Sequence, residues 1–112
     1  MKQRMQANNS SIDNCLILTG SIASVIKQSR SPIGIPNYRF WLEHSSKQKE
    51  VNLERQAWCK IPVILAGDQF SIIAQQIKVG MRVRVKGFLH SHKDYNGLHQ
   101  LVLHTEQIEF ID

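Results

Sequence analysis

A tryptophan between two cations is the clearest chemical feature of this chain. In the run RQAWCK, residues 55–60, Trp58 stands between Arg55 and Lys60. An indole offers a flat face for stacking, and neighbouring cations offer charge for phosphate. The mixture recurs along the chain. Arg39 and Trp41 lie in YRFWLEH, Lys27 and Arg30 in KQSRSPIGIPN, Lys47 and Lys49 in SSKQKEVN, and Lys93 and Tyr95 in HSHKDYNGLH. Other chemistries lack their parts. His90 and His92 are two apart, but a zinc site needs two more ligands nearby. Cys15 and Cys59 stand far apart among apolar neighbours and read as buried free thiols, and the two histidines read as exposed loop residues. The 9 acids are scattered. No paired carboxylates, Gly-rich phosphate loop or nucleophile motif is present. The expectation is a binding module and not an enzyme, with no metal and no cofactor.

Charge sharpens that expectation. The chain carries a formal +5 over 112 residues. Seven Lys or Arg residues and one acid, Asp68, lie between Arg55 and Lys93, whereas four acids and no Lys or Arg follow from Asp94. A basic middle with an acidic end suggests one positive surface, which fits a nucleic-acid partner and equally a surplus that serves only solubility. The length suits one domain. No apolar run reaches the length of a membrane span, and the N-terminal stretch has no apolar region of the kind a signal peptide needs. A cytoplasmic protein is expected, with residues 1–13 a disordered tail and residues 14–112 a single domain.

The elements that must position these residues follow from periodicity. NCLILTGSIASVI reads as a strand bent at Gly20, KQSRSPIGIPN as a loop, YRFWLEH as a second strand and SSKQKEVN as a polar loop. RQAWCKIPVIL is the third strand. In GDQFSIIAQQIKVG the period changes: Phe70, Ile73, Ala74 and Ile77 recur at helical spacing, with Asp68 or Ser71 as cap and Gly80 as stop. MRVRVKGFL and QLVLHTEQIEF are the last two strands, joined through an Asn96-Gly97 turn. Five strands with one short helix between the third and fourth give an all-β OB-fold barrel. A meander with a decorating helix and an SH3-like barrel are the alternatives.

Parity then assigns faces. Ala57, Cys59, Ile61, Val63 and Leu65 form one apolar set and must be core. Trp58 and Lys60 therefore point outward, and Arg39 and Trp41 do so if Phe40 and Leu42 are core. The candidate face comprises Trp58, Lys60, Lys93, Arg30, Lys27, Lys47, Lys49, Tyr95, Arg39 and Trp41, and it suits single-stranded nucleic acid. Trp58 or Trp41 could instead sit in a subunit interface. Arg82, Arg84 and Lys86 read as the solvated face of the fourth strand.

The segments SPIGIPNYRFWLEH, ERQAWCKIPVILAG, VKGFLHSHKDYNGL and LVLHTEQIEFID together resemble the primosomal replication protein N (PriB) family. The resemblance runs from about Cys15 to Asp112. It implies a homodimeric OB-fold single-stranded DNA-binding adaptor of bacterial replication restart. It also implies contacts with the primosomal restart helicase and with the primosomal protein that recruits the helicase loader. The family's DNA-contacting tryptophan falls on Trp58 and a lysine on Lys93. Ser29, Ser45, Leu53, Tyr95 and Gln100 depart from the residues the family leads one to expect, so a shallower salt dependence of DNA binding is expected. Two other readings stand beside it: an OB-fold protein-interaction module in which DNA is incidental, and a general strand-coating protein. The latter usually carries a long acidic tail, where this sequence ends at EFID.

Overall fold

The computed structural model describes residues 13–112; all but the last residue of the expected tail lies outside them. The strands are β1 (Leu16–Ile22), β2 (Lys27–Arg30), β3 (Pro36–Glu50), β4 (Leu53–Ala66), β5 (Arg82–Lys93) and β6 (His99–Ile111). A 3-10 turn (Asp68–Phe70) and α1 (Ser71–Gln76) lie between β4 and β5. The sheet order is β1-β5-β6-β4-β3-β2, and β1 also pairs with β3 through Ser21↔Glu43 and Ile22↔Leu42. That last pairing closes five strands into a ring, with β2 hanging on β3 outside it. Among the described residues one pair is parallel, β4 with β6; the 3-10 turn and α1 carry the chain from β4 to β5, which are not neighbours in the sheet. The architecture is the OB-fold.

Closure depends on Gly20. A Cβ there would lie 2.3 Å from the Glu43 carbonyl oxygen, so only glycine lets β1 reach β3. Inside the ring, Ile22, Phe40, Leu42, Val63, Leu65, Val83, Val85 and Leu103 are buried. Phe70, Ala74 and Ile77 pack into the same core, as their spacing requires.

Several expected elements have different extents. The segment read as a loop over 27–37 contains β2, paired Lys27↔Arg39 through Arg30↔Pro36. All four β2 residues are exposed, so no alternation marks the strand. The polar stretch 45–52 is also mostly strand: β3 and β4 run on to Glu50↔Leu53 around a two-residue turn. This arm projects past the barrel, and strands solvated on both sides need no apolar period. β5 extends through His90 and His92 to Lys93 for the same reason, so those histidines lie on a strand and not in a loop. The helix is shorter than its pattern. Neither 3-10 turn nor α1 has a side-chain cap, and Ile77 is already extended. Gly80, at φ +93°, donates its N–H to the Ile22 carbonyl, tying the exit to β1 instead of ending a helix. Finally, Cys15 and Cys59 are exposed, not buried. Cys15 precedes β1, and Cys59, opposite His44, lines an open apolar groove with Leu16, Leu18 and Ile61 instead of filling the closed core.

Candidate nucleic-acid interface

Cross-strand partners share a face, so the β3–β4 register assembles the candidate residues. It pairs Arg39↔Ile64, Trp41↔Pro62, Glu43↔Lys60, Ser45↔Trp58, Lys47↔Gln56 and Lys49↔Glu54. The opposite face carries Phe40↔Val63 and Leu42↔Ile61, which fill the barrel. His44 follows on that inner face. Its Nδ1–H donates to the Thr19 carbonyl and its Nε2 accepts from the Ser46 hydroxyl, which fixes the tautomer.

Trp58 is 59% exposed on the outer face. Its indole Nε1 donates to Glu43 Oε2 at 2.8 Å. That bond uses the ring edge and leaves the flat surface open. The Lys60 ammonium lies 5.8 Å from the centroid of the half-buried Trp41 ring. The cation is thereby carried along the face between the two indoles. Arg39 donates from Nη2 to Gln100 Oε1 at 3.1 Å, joining β3 to the start of β6. Lys27 stands opposite Arg39 in the β2–β3 register and shares its face.

Not every candidate converges. Arg30 registers with Pro36, on the other face of β2 from Lys27, and its guanidinium turns back to the Gly34 carbonyl at 2.6 Å. Lys47 and Lys49 lie on the outer face but far along the arm, beside an Arg55–Glu50 ion pair of 3.1 Å. Lys93 ends β5 opposite His99, and Tyr95 is 97% exposed in the β5–β6 turn. Trp58, Lys60, Trp41, Arg39 and Lys27 thus form a contiguous patch, with Lys47 and Lys49 on one flank and Lys93 and Tyr95 on the β5–β6 connection. Arg84 and Lys86 lie on the outer face of β5, and Arg84 approaches Glu109 at 3.8 Å.

Two participants had no sequence signal. Glu43 alternates with Trp41 along its strand, but only the register brings its carboxylate to the Trp58 edge. Gln100, where a basic residue is expected, serves instead as the acceptor for Arg39. Among the described residues, no group of three or more His, Cys, Asp or Glu is arranged to hold a metal ion.

A family model described as "Another single-strand binding protein family" matches residues 14–107. The replication restart protein PriB of Actinobacillus pleuropneumoniae serotype 5b is 71% identical over 112 residues, covering 100% of this chain and 90% of that protein. The chain belongs to the PriB family of single-strand binding proteins. The PriB of Histophilus somni strain 129Pt is 47% identical over 108 residues, 96% of this chain and 100% of that one. Among solved structures, PriB from Ralstonia solanacearum superposes with a TM-score of 0.71 at 25% identity, covering 87% of this chain and 96% of its own. A Plasmodium falciparum SSB in complex with ssDNA gives a TM-score of 0.71 at 18% identity over 95% and 100% of the two chains, a likeness of fold.

Proposed function

We propose that this protein is a non-enzymatic single-stranded DNA-binding adaptor of replication restart. The observation that carries the reading is the exposed Trp58 ring, held by its edge to Glu43 beside Lys60 and Trp41. A base stacks on the open indole and phosphates meet Lys60, Lys27 and the arm lysines. Stacking is tolerant of base identity, and mobile ammonium groups are tolerant of backbone path. Membership of a single-strand binding family and relatives named for replication restart support the same reading.

The adaptor role has further parts. The protein acts as a cytoplasmic homodimer, steadies the restart helicase on DNA and helps to bring in the primosomal protein that recruits the helicase loader. An exposed, shallow DNA face supports this, because a strand held there can be transferred to a partner. Titrating a labelled dT oligonucleotide tests the DNA contact. Adding the oligonucleotide should quench tryptophan emission. W58A should lose about 1–3 kcal/mol, roughly 5- to 150-fold in Kd.

A second reading, a protein-docking module, is favoured by one observation. An apolar groove of about 530 Å³ opens beside the face, lined in part by Leu16, Leu18, Ile61, Leu89 and Leu101. If W58A binds oligonucleotide normally but no longer binds the restart helicase, that reading replaces the first.

A further inference from the structure

Three histidines outside the tryptophan patch gather on the outer surface of β5 and β6. Ring centroids lie 5.3 Å apart for His90–His92, 5.8 Å for His90–His104 and 5.0 Å for His92–His104. The half-exposed Phe88 stacks on His104, with centroids 5.0 Å apart and planes 6° from parallel. The cluster is a product of the β-bulge between Lys86 and Gly87, which shifts the register so that Phe88 falls opposite His104 and His92 opposite Gln100. Gly87 is required there, since a Cβ would lie 1.8 Å from the His104 carbonyl oxygen. The cluster also adjoins the tryptophan patch. His104 lies beside Ile64 across the β4–β6 pair, and Gln100, opposite His92, is the acceptor for Arg39.

His92 Nε2 and His104 Nε2 are 2.8 Å apart. One must donate and the other must accept through its lone pair, because two N–H groups cannot face each other at that distance. The facing nitrogens therefore share one proton, and a second forces the rings apart. Burial first, then the charges of His90 and Arg39, lower the pKa of His92. Burial first, then His92 and His90, lower that of His104. Among the described residues the charges that act on the two rings are positive: His90 from β5 on both, His92 on His104, and Arg39 from β3 on His92. β4 contributes only the uncharged Ile64 at this register, and Lys93 opposite His99 adds two more basic groups at the strand ends. Imidazole N–H groups set beside Arg39 offer hydrogen-bond donors and nearby positive charge to an anion.

We propose that the His90–His92–His104 cluster is a proton-linked phosphate contact for the same DNA strand that Trp58 holds. The inference rests on the single-stranded DNA reading above. A phosphate oxygen entering between His92 and His104 accepts an N–H from each ring. The ring that had been accepting takes a proton from solvent, and Phe88 offers its open side to the adjoining base. The phosphate raises the imidazole pKa values from their lowered free values, so the complex binds more protons than the free protein. Affinity must then rise as pH falls, by at most about tenfold per pH unit for each proton taken up.

Two measurements test this. The heat of dT-oligonucleotide binding to wild-type protein at neutral pH, compared in buffers of different ionisation enthalpy, reads the protons taken up. Kd values at about pH 7.5 and about pH 6.0 for wild type, H92Q and H104Q read their source, against the ordinary imidazole pKa of about 6.5. The expected result is net proton uptake, a several-fold gain in wild-type affinity at the lower pH and a smaller gain in both variants. The buffer comparison needs no substitution, so it stands even if H104Q disturbs the sheet. Binding heats independent of buffer, or equal pH dependence in wild type and H92Q, overturn the inference and leave the DNA reading intact. Failure of the wild type to bind oligonucleotide at any pH overturns the DNA reading itself and this inference with it.

Discussion

Glu43 has two opposed effects on the proposed DNA face, and one substitution separates them. Its carboxylate accepts the Trp58 indole N–H at 2.8 Å, which orients the stacking ring. Its exposed negative charge also repels the phosphates that the face is meant to hold. In E43Q the amide oxygen keeps the hydrogen bond and the charge is gone. A phosphate flanking a base on Trp58 would lie about 7 Å from Glu43, and two unit charges at that distance in water repel by about 0.6 kcal/mol. E43Q should therefore bind a dT oligonucleotide about threefold more tightly than wild type at low salt. The gain should fade between about 0.1 M and about 1 M salt, as the Debye length shrinks from about 10 Å to about 3 Å. E43A relieves the same repulsion but frees the indole, at a cost of about 1 kcal/mol for a hydrogen bond to a charged, exposed group. It should bind within about twofold of wild type. Fluorescence anisotropy at the two salt concentrations reads all three proteins. Weaker binding by E43Q than by wild type at low salt would show that no phosphate passes near Trp58, and the assignment of this face would fail.

Three further outcomes follow from the barrel and its arm. V51N should stabilise the protein by about 1 kcal/mol, read as a higher urea midpoint at unchanged slope: Val51 is a β-branched residue at φ 54° in the arm's turn, where asparagine is at ease. G20A should cost about 1–3 kcal/mol or more and speed amide exchange at Ile22 and Leu42, because the new methyl meets the Glu43 carbonyl oxygen and parts β1 from β3. Stability should also fall with acid. The folded pKa values of His92 and His104 lie below the ordinary imidazole value, so below about pH 6.5 the unfolded chain binds more protons than the native one. Their contribution is complete above that pH and is lost as pH falls toward the folded values. A thermal midpoint that stays constant or rises from about pH 7.5 to about pH 5.5 would contradict the assignment.

The barrel was legible in the sequence because burial imposes a period. Val83 and Val85 alternate with Arg82 and Arg84, and Phe70, Ala74 and Ile77 recur at helical spacing, since each must turn an apolar face inward. Parity placed Trp58 outside for the same reason. The signal ends where the barrel ends. β2 and the β3–β4 arm are held mainly by backbone pairing, and most of their side chains are exposed, while the far ends of β5 and β6 carry a mostly polar sequence. Polar composition there reads as loop. Cys59 was misplaced for another reason: it continues the parity of Ile61 and Val63, but at its position that face opens into a groove instead of the closed core. The histidine cluster was hidden by a different mechanism. His90 and His92 are visible as a pair, but His104 joins them only through a bulge at Gly87, and a one-residue shift in register is invisible to alternation.

The division between barrel and arm bears on how the proposed adaptor would hand a strand over. Stability resides in the closed ring, where Phe40, Leu42, Val63 and Leu103 are fully sequestered. The proposed DNA contacts lie on the ring's outer wall and on the arm, where Trp58, Lys60, Lys47 and Lys49 are exposed. Contacts made at exposed positions are individually weak, screened by salt and quickly broken. They can be surrendered one at a time without disturbing the core. A deep, enclosed groove would retain the strand more tightly and release it only through a larger rearrangement. The shallow face, with its indole anchored by an edge and its cations on flexible stems, therefore suits brief possession of DNA, which is what an adaptor between two other proteins requires.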